Sequence, residues 1–313
     1  MIRIRTEKEA NYKAVFVNGK TLRIPLNPAL PITELKFPEF YDISPGNKCV
    51  TGNCDFCYAA ATKSGIHYSN LVEKIDKFFG VMDLNERPFQ VAVGGEQEPL
   101  ENPEFWPMMQ RFQELQIVGN YTTNGVLIND KHIENTKKYC GGVAVTLHPH
   151  LEKFWRKALN RLNEAKVRVN VHVIISDKDS IDRTAKLYKE FANTEIVEYF
   201  VLLPYMNYGH AINNPKKIDS VYLDKWLTGI HQEGKLAFGA NFINFLKHHS
   251  KKYDVSVYPP EILSKYIRLD DNMFRPDGKV WIQNNSFDKK NILFTPGEGC
   301  ELGHARSEFI EIQ

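Results

Sequence analysis

The stretch FYDISPGNKCVTGNCDFCYAA, residues 40–60, decides how the rest of the chain is read. Its first five residues, Phe40 to Ser44, have strand character. They run straight into a glycine-containing loop that carries Cys49, Cys54 and Cys57. Three of the chain's five cysteines therefore fall within nine residues. Thiolates packed this closely hold a metal or an iron–sulfur cluster more often than they form disulfides. Three ligands also leave a four-coordinate centre one position short, and an open position is where metal chemistry takes place.

Outward from that loop a rhythm is visible. Phe89 to Val93 reads as a strand ending in Gly94-Gly95, Ile117 to Thr122 as a strand stopped by Asn124-Gly125, and Val143 to Leu147, Val167 to Ile175 and Ile196 to Leu203 as three more. Helical spacing fills the intervals: Leu71 to Phe79, Phe105 to Leu115 (with Pro107 starting or kinking it), Lys131 to Tyr139, Phe154 to Ala165 and Ile181 to Phe191. Strands alternating with helices imply βα units and a parallel sheet. Six repeats between about residues 38 and 209 are too few for an eight-fold barrel and suit a partial barrel or an open sheet.

Two strands alternate in an unusual way. Val169, Val171, Val173 and Ile175 share one face, and Asn170 and His172 the other; Val143, Val145 and Leu147 oppose Ala144, Thr146 and His148. Strands of a helix-covered parallel sheet are normally apolar on both faces. A polar inner face near the C-terminal strand ends is where ligands sit in such folds, although hydrogen bonding to loops is the plainer explanation.

The flanks read differently. Tyr12 to Val17, the turn Asn18-Gly19 and Thr21 to Pro25 predict a β-hairpin within an N-terminal extension, residues 1–37. Beyond residue 209 lies a C-terminal extension, 210–313, expected to pack on the core. There Tyr222 to Gln232 is helical, Leu236 to Phe242 is a strand, and Met273–Phe274, Pro276-Asp277-Gly278 and Val280 to Ile282 form a hairpin.

Several function classes lose ground on composition. A formal net charge of +2 gives no strong nucleic-acid signal. No apolar run approaches the roughly 20 residues that span a bilayer, and MIRIRTEKEANYK lacks the apolar centre of a signal peptide. The odd, clustered cysteines argue against a secreted disulfide framework, so a cytoplasmic, reducing location with no membrane partner is expected.

The cysteine loop after the first strand, GGEQEP (Gly94 to Pro99) after the second, YTTNG (Tyr121 to Gly125) after the third and LLPY (Leu202 to Tyr205) after the sixth together resemble the radical S-adenosylmethionine (radical SAM) superfamily over residues 38–209. The resemblance implies a partial (βα)6 barrel with a [4Fe–4S] cluster at its mouth, held by Cys49, Cys54 and Cys57, and one iron left for S-adenosylmethionine. It implies reductive cleavage of that cofactor to a 5′-deoxyadenosyl radical, which abstracts hydrogen from, or adds to, an unidentified substrate. A flavodoxin or ferredoxin is the implied electron donor. Phe56 matches the aromatic that family members place near the adenine. Gly94 and Gly95 let backbone approach a ligand, and Glu96 or Glu98 accepts the methionine ammonium, with Glu96 preferred because it directly follows the glycines. Asn124, Thr146, Asn170, His172 and Leu203 complete the implied cofactor contacts. Tyr205, with Tyr208 and His210 beyond it, faces the mouth. Tyr205 and Cys300 are the candidate catalytic side chains, whereas Cys140, at the opposite rim, reads as a small buried hydrophobe.

Two departures from the family pattern stand out. Four residues separate the first two cysteines where three are usual, and Gln97-Glu98 interrupts the usual GGEP run. The alternative reading is a zinc-stabilised α/β binding protein without catalysis, in which His67 completes a closed Cys3His site. A plain electron-transfer protein would need a fourth nearby cysteine, which the sequence lacks.

Overall fold

The computed structural model describes residues 2–17, 19–52, 54–230, 235–239, 242, 264–274 and 283–284. Three antiparallel strands come first: β1 (Ile2–Glu7), β2 (Tyr12–Val17) and β3 (Lys20–Pro25). The expected hairpin is thus joined by a third strand, paired to β2. Its alternation runs against hydrophobic expectation, because Ile2 and Ile4 are 70% and 57% exposed while Arg3 and Arg5 point inward. The reason lies in what they meet. Arg3 donates to the carbonyls of Pro88, Arg87 and Gln116, and both guanidiniums lie over the Phe89 ring.

The main sheet follows: β4 (Phe40–Ser44), β5 (Gln90–Val93), β6 (Val118–Thr123), β7 (Cys140–Thr146), β8 (Val169–Ile175), β9 (Tyr199–Pro204) and β10 (Leu236–Phe238). Each is parallel to the one before. β11 (Ser264–Arg268) adds parallel to β4 on the other side, and β12 (Gln283–Asn284) pairs with it antiparallel. Eight parallel strands therefore stand where six repeats were read. The extra two come from residues beyond 209, where the βα spacing loosens. The turn and second arm of the predicted C-terminal hairpin, and Cys300, lie outside the described residues.

Helices α1 (Leu71–Ile75), α2 (Phe105–Glu114), α3 (Asp130–Tyr139), α4 (Glu152–Glu164), α5 (Lys178–Phe191) and α6 (Ser220–Ile230) cover the outer face. α1 continues as a π-helical turn, Asp76–Gly80, and Pro107 falls in the first turn of α2, where a missing N–H costs nothing. Val143, Val145, Val169, Val171, Val173 and Ile175 join Trp155, Leu159, Leu162 and Tyr188 in the sheet–helix core. Asn170 and His172 face the opposite way, as their alternation predicts, into the concave side of the sheet.

The N-terminal sheet closes the base of this sheet. Phe16 stacks on Phe89 at 5.2 Å, beside Tyr12 and Ala14. Arg23 grips Glu39, the residue before β4, through Nε–Oε1 at 2.7 Å and Nη2–Oε2 at 2.5 Å, and the Tyr12 hydroxyl donates to the same carboxylate. The opposite, C-terminal rim stays open, and the cysteine loop lies there.

Candidate active site

The cysteine loop is held from several directions. Glu101, which follows the GGEQEP run, accepts hydrogen bonds from the backbone N–H groups of Val50 and Thr51 and from the Thr51 hydroxyl, at 2.8–2.9 Å. Asn102 donates to the carbonyls of Pro45 and Tyr68. The Asn124 side chain donates to Thr51 at 3.0 Å. From the far end of the array, His210 donates its backbone N–H to the Cys57 carbonyl at 2.8 Å. Gly209 makes that approach possible. Its φ is +56°, and a Cβ there would collide with the Tyr58 carbonyl and lie 2.5 Å from the Cys57 carbonyl.

The loop forms one wall of an open cavity of about 150 Å³. Cys49, Cys54, Cys57 and Phe56 line it, together with Gly95, Glu96 and Glu98 from the turn after β5, Asn124 after β6, Thr146 of β7, Leu203 of β9 and Tyr205 just beyond. With Ile174 of β8, residues from five strand ends and the loop thus share one space. Gly94 does not line it, because its N–H continues the sheet by donating to the Ile43 carbonyl. Gly95 takes φ +80°, with open space where a Cβ would stand. Asn170 lies elsewhere, in a small cavity with Gln90, Asn120 and Arg168 beneath the N-terminal sheet. His172 lies one pleat above it, fully buried and outside the cavity wall, where burial depresses its pKa to about 3. Both side chains are on the concave face, but neither lines the cavity at the mouth.

The two carboxylates have different surroundings. Glu98 accepts from the Thr123 hydroxyl at 2.8 Å and from the Asn124 backbone N–H at 2.7 Å. Burial still pushes its pKa up to about 7, against those hydrogen bonds. Glu96 is paired with the Arg268 guanidinium instead.

The donor set suits a cluster. A Cβ on Gly52 would stand 2.9 Å from the Cys49 sulfur and 3.6 Å from that of Cys54, so this glycine leaves the space the sulfurs occupy. Backbone amides of Ala59, Ala60 and Ala61 near Cys57, and of Gly52 and Glu98 near Cys49, partly offset the cost of burying these thiolates. Burial raises the Cys49 thiol pKa to about 11. Burial and the neighbouring Cys57 and Cys49 raise that of Cys54 to about 12. A cationic centre would reverse that cost by binding the thiolates. Among the described residues no group of three His, Cys, Asp or Glu side chains is arranged to hold a single ion. His67, the fourth ligand of the zinc reading, is outside the cavity wall and contacts Gln97 at 3.3 Å.

Sequence reasoning missed Glu101, Gly209 and His150. His150 lies 2.9 Å from the Gly52 carbonyl and 3.7 Å from the Cys54 sulfur, with its ring against Phe56. The signal for Glu101 was its place three residues beyond Glu98. Nothing local marked the other two.

No protein-family model matches the sequence, and no curated protein matches it. Solved structures do. SuiB of Streptococcus suis bound to S-adenosylmethionine aligns over 90% of this chain and 84% of its own, at 15% identity and a TM-score of 0.64. SuiB bound to the precursor peptide SuiA aligns over 86% of this chain at 15% identity and a TM-score of 0.60, and this chain spans 63% of it. anSMEcpe with bound AdoMet and the Cp18Cys peptide aligns over 85% and 84% of the two chains, at 15% identity and 0.51. The fold is the radical SAM-type partial barrel. At these identities the likeness concerns architecture, so the chemistry has to be argued from the cavity's own residues. Among the described residues no helix of this barrel is long and apolar enough to cross a membrane.

Proposed function

We propose that this chain is a radical SAM enzyme, and the observation that carries the proposal is convergence. Three cysteines, an acidic pair after a glycine turn and an asparagine from the next strand end line one cavity at the open rim of the barrel. When bound, a [4Fe–4S] cluster supplies one electron for reductive cleavage of the S-adenosylmethionine sulfonium, and so a carbon-centred radical for hydrogen abstraction or addition. Cys49, Cys54 and Cys57 hold that cluster. Phe56 packs on the adenine, Glu96 takes the methionine ammonium, and Thr146, Asn124 and Leu203 orient the remainder. Glu98 is the structural partner of the pair, tying the turn after β5 to Thr123 and the Asn124 backbone. Tyr205 is the candidate substrate-facing side chain. Apolar Leu203, Ile174 and Phe56 contribute to the cavity wall and limit hydration beside the reacting atoms.

Residues 38–209 supply these contacts, with the N-terminal sheet closing the base and the described residues beyond 209 adding to the core. The electron comes from a carrier such as a flavodoxin or ferredoxin, and the four described cysteines, all free, suit the reducing cytoplasm. The test is direct. Anaerobically reconstituted, dithionite-reduced protein incubated with S-adenosylmethionine is expected to release 5′-deoxyadenosine. Iron-loaded protein that releases none overturns the proposal.

A further inference from the structure

β11 gives the residues beyond the six-repeat array a place in the chemistry. Its last residue, Arg268, is in register with Ser44, the last residue of β4. It therefore emerges on the rim from which the cysteine loop departs. From there its guanidinium meets Glu96 side-on, Nε to Oε2 at 3.1 Å and Nη2 to Oε1 at 2.5 Å, across 172 residues of sequence. The Glu96 side chain is only 5% exposed and lines the cavity, whereas Arg268 is outside the cavity wall and 31% exposed. The arginine thus grips the carboxylate from behind rather than occupying the space in front of it.

The geometry has a consequence for recognition. A carboxylate this buried resists ionisation unless a cation compensates. A guanidinium does so, and its planar fork also fixes the carboxylate plane. We propose that Arg268 is a positioning residue: it holds Glu96 charged and in plane to receive the ammonium group of an α-amino-acid moiety in the cavity. The inference rests on reading the cavity as the S-adenosylmethionine site. It adds that selection for the amino-acid end of that cofactor depends on a strand outside the six-repeat array.

The experiment compares two ligands on iron-loaded protein by calorimetry under anaerobic conditions. S-Adenosylmethionine carries the ammonium group; 5′-methylthioadenosine has the same nucleoside end without it. Arg268→Gln is expected to weaken S-adenosylmethionine binding roughly 10- to 100-fold, with 5′-methylthioadenosine affinity and iron per chain unchanged. Arg268→Lys, which keeps the charge but not the fork, is expected to recover part of the loss. Equal binding of S-adenosylmethionine by Arg268→Gln and wild type overturns the inference, as does an equal loss for both ligands. Wild-type protein that binds neither ligand overturns the function proposed above, and this inference with it.

Discussion

Gly209 shows how one residue can govern a site it does not line. It sits after β9, yet its backbone presses on the cysteine loop at Cys57 and Tyr58 with φ +56°. An alanine there meets the left-handed penalty of about 1–2 kcal/mol and also pushes the loop away. Gly209→Ala is expected to lower both the thermal midpoint and the iron bound per chain after reconstitution; a variant that loads iron like wild type would show that the loop tolerates the shift. The cysteines give a sharper contrast. Cys54→Ala is expected to remove iron and 5′-deoxyadenosine formation together, while Cys140→Ala keeps both, because Cys140 starts β7 at the base and packs against the core. At this scale the sequence was informative wherever chemistry and spacing coincide. The three cysteines, Gly95 and both glutamates were readable and lie together. Gly209, His150 and Arg268 were not, since each acts across a long stretch of chain and no local pattern marks such a contact. Asn170 and His172 show the converse. Their alternation put them on the concave face, but period-2 reasoning gives a face, not a depth along the strand, and neither lines the cavity.

A buried ionic contact, Arg23 with Glu39, helps hold the N-terminal sheet to the barrel, and that element carries its own predictions. Burial pushes the Glu39 pKa up, but Arg23, its hydrogen bonds and the Tyr12 hydroxyl outweigh burial and hold it below the ordinary 4.5. A depressed folded pKa means stability that is complete above about pH 4.5 and lost as pH falls through the lower folded value. In urea titrations at a series of pH values, wild type is expected to lose stability below pH 5 more steeply than Glu39→Gln. A parallel pair of profiles would contradict this. Glu39→Ala leaves Arg23 buried without its carboxylate and is expected to cost about 3–5 kcal/mol, read from the urea midpoint at neutral pH. The hairpin β2–β3 was legible from its alternation and turn, whereas β1 was not. A pattern of Ile-Arg-Ile-Arg suggests isoleucines inward, and the opposite holds because the arginines find backbone carbonyls and the Phe89 face at the base of the barrel. β11 escaped for a different reason: a five-residue strand without a following βα unit has little signature of its own.

The whole molecule is a parallel sheet curved around a polar interior, closed below by three strands and open above at the cysteine loop. The βα rhythm made six of its eight parallel strands legible, with boundaries displaced by only a few residues, and β10 was read as a strand beyond the array. The remaining two join from opposite sides, β10 beside β9 and β11 beside β4, and widen the sheet beyond what the repeat count suggested. The central claim concerns what Cys49, Cys54 and Cys57 hold at the open rim, and metal analysis of the intact chain addresses it most directly. Purified without oxygen, the protein is expected to contain about four iron and four acid-labile sulfide per chain, dropping to background in Cys54→Ala. Colourless protein carrying about one zinc and no sulfide would contradict the account.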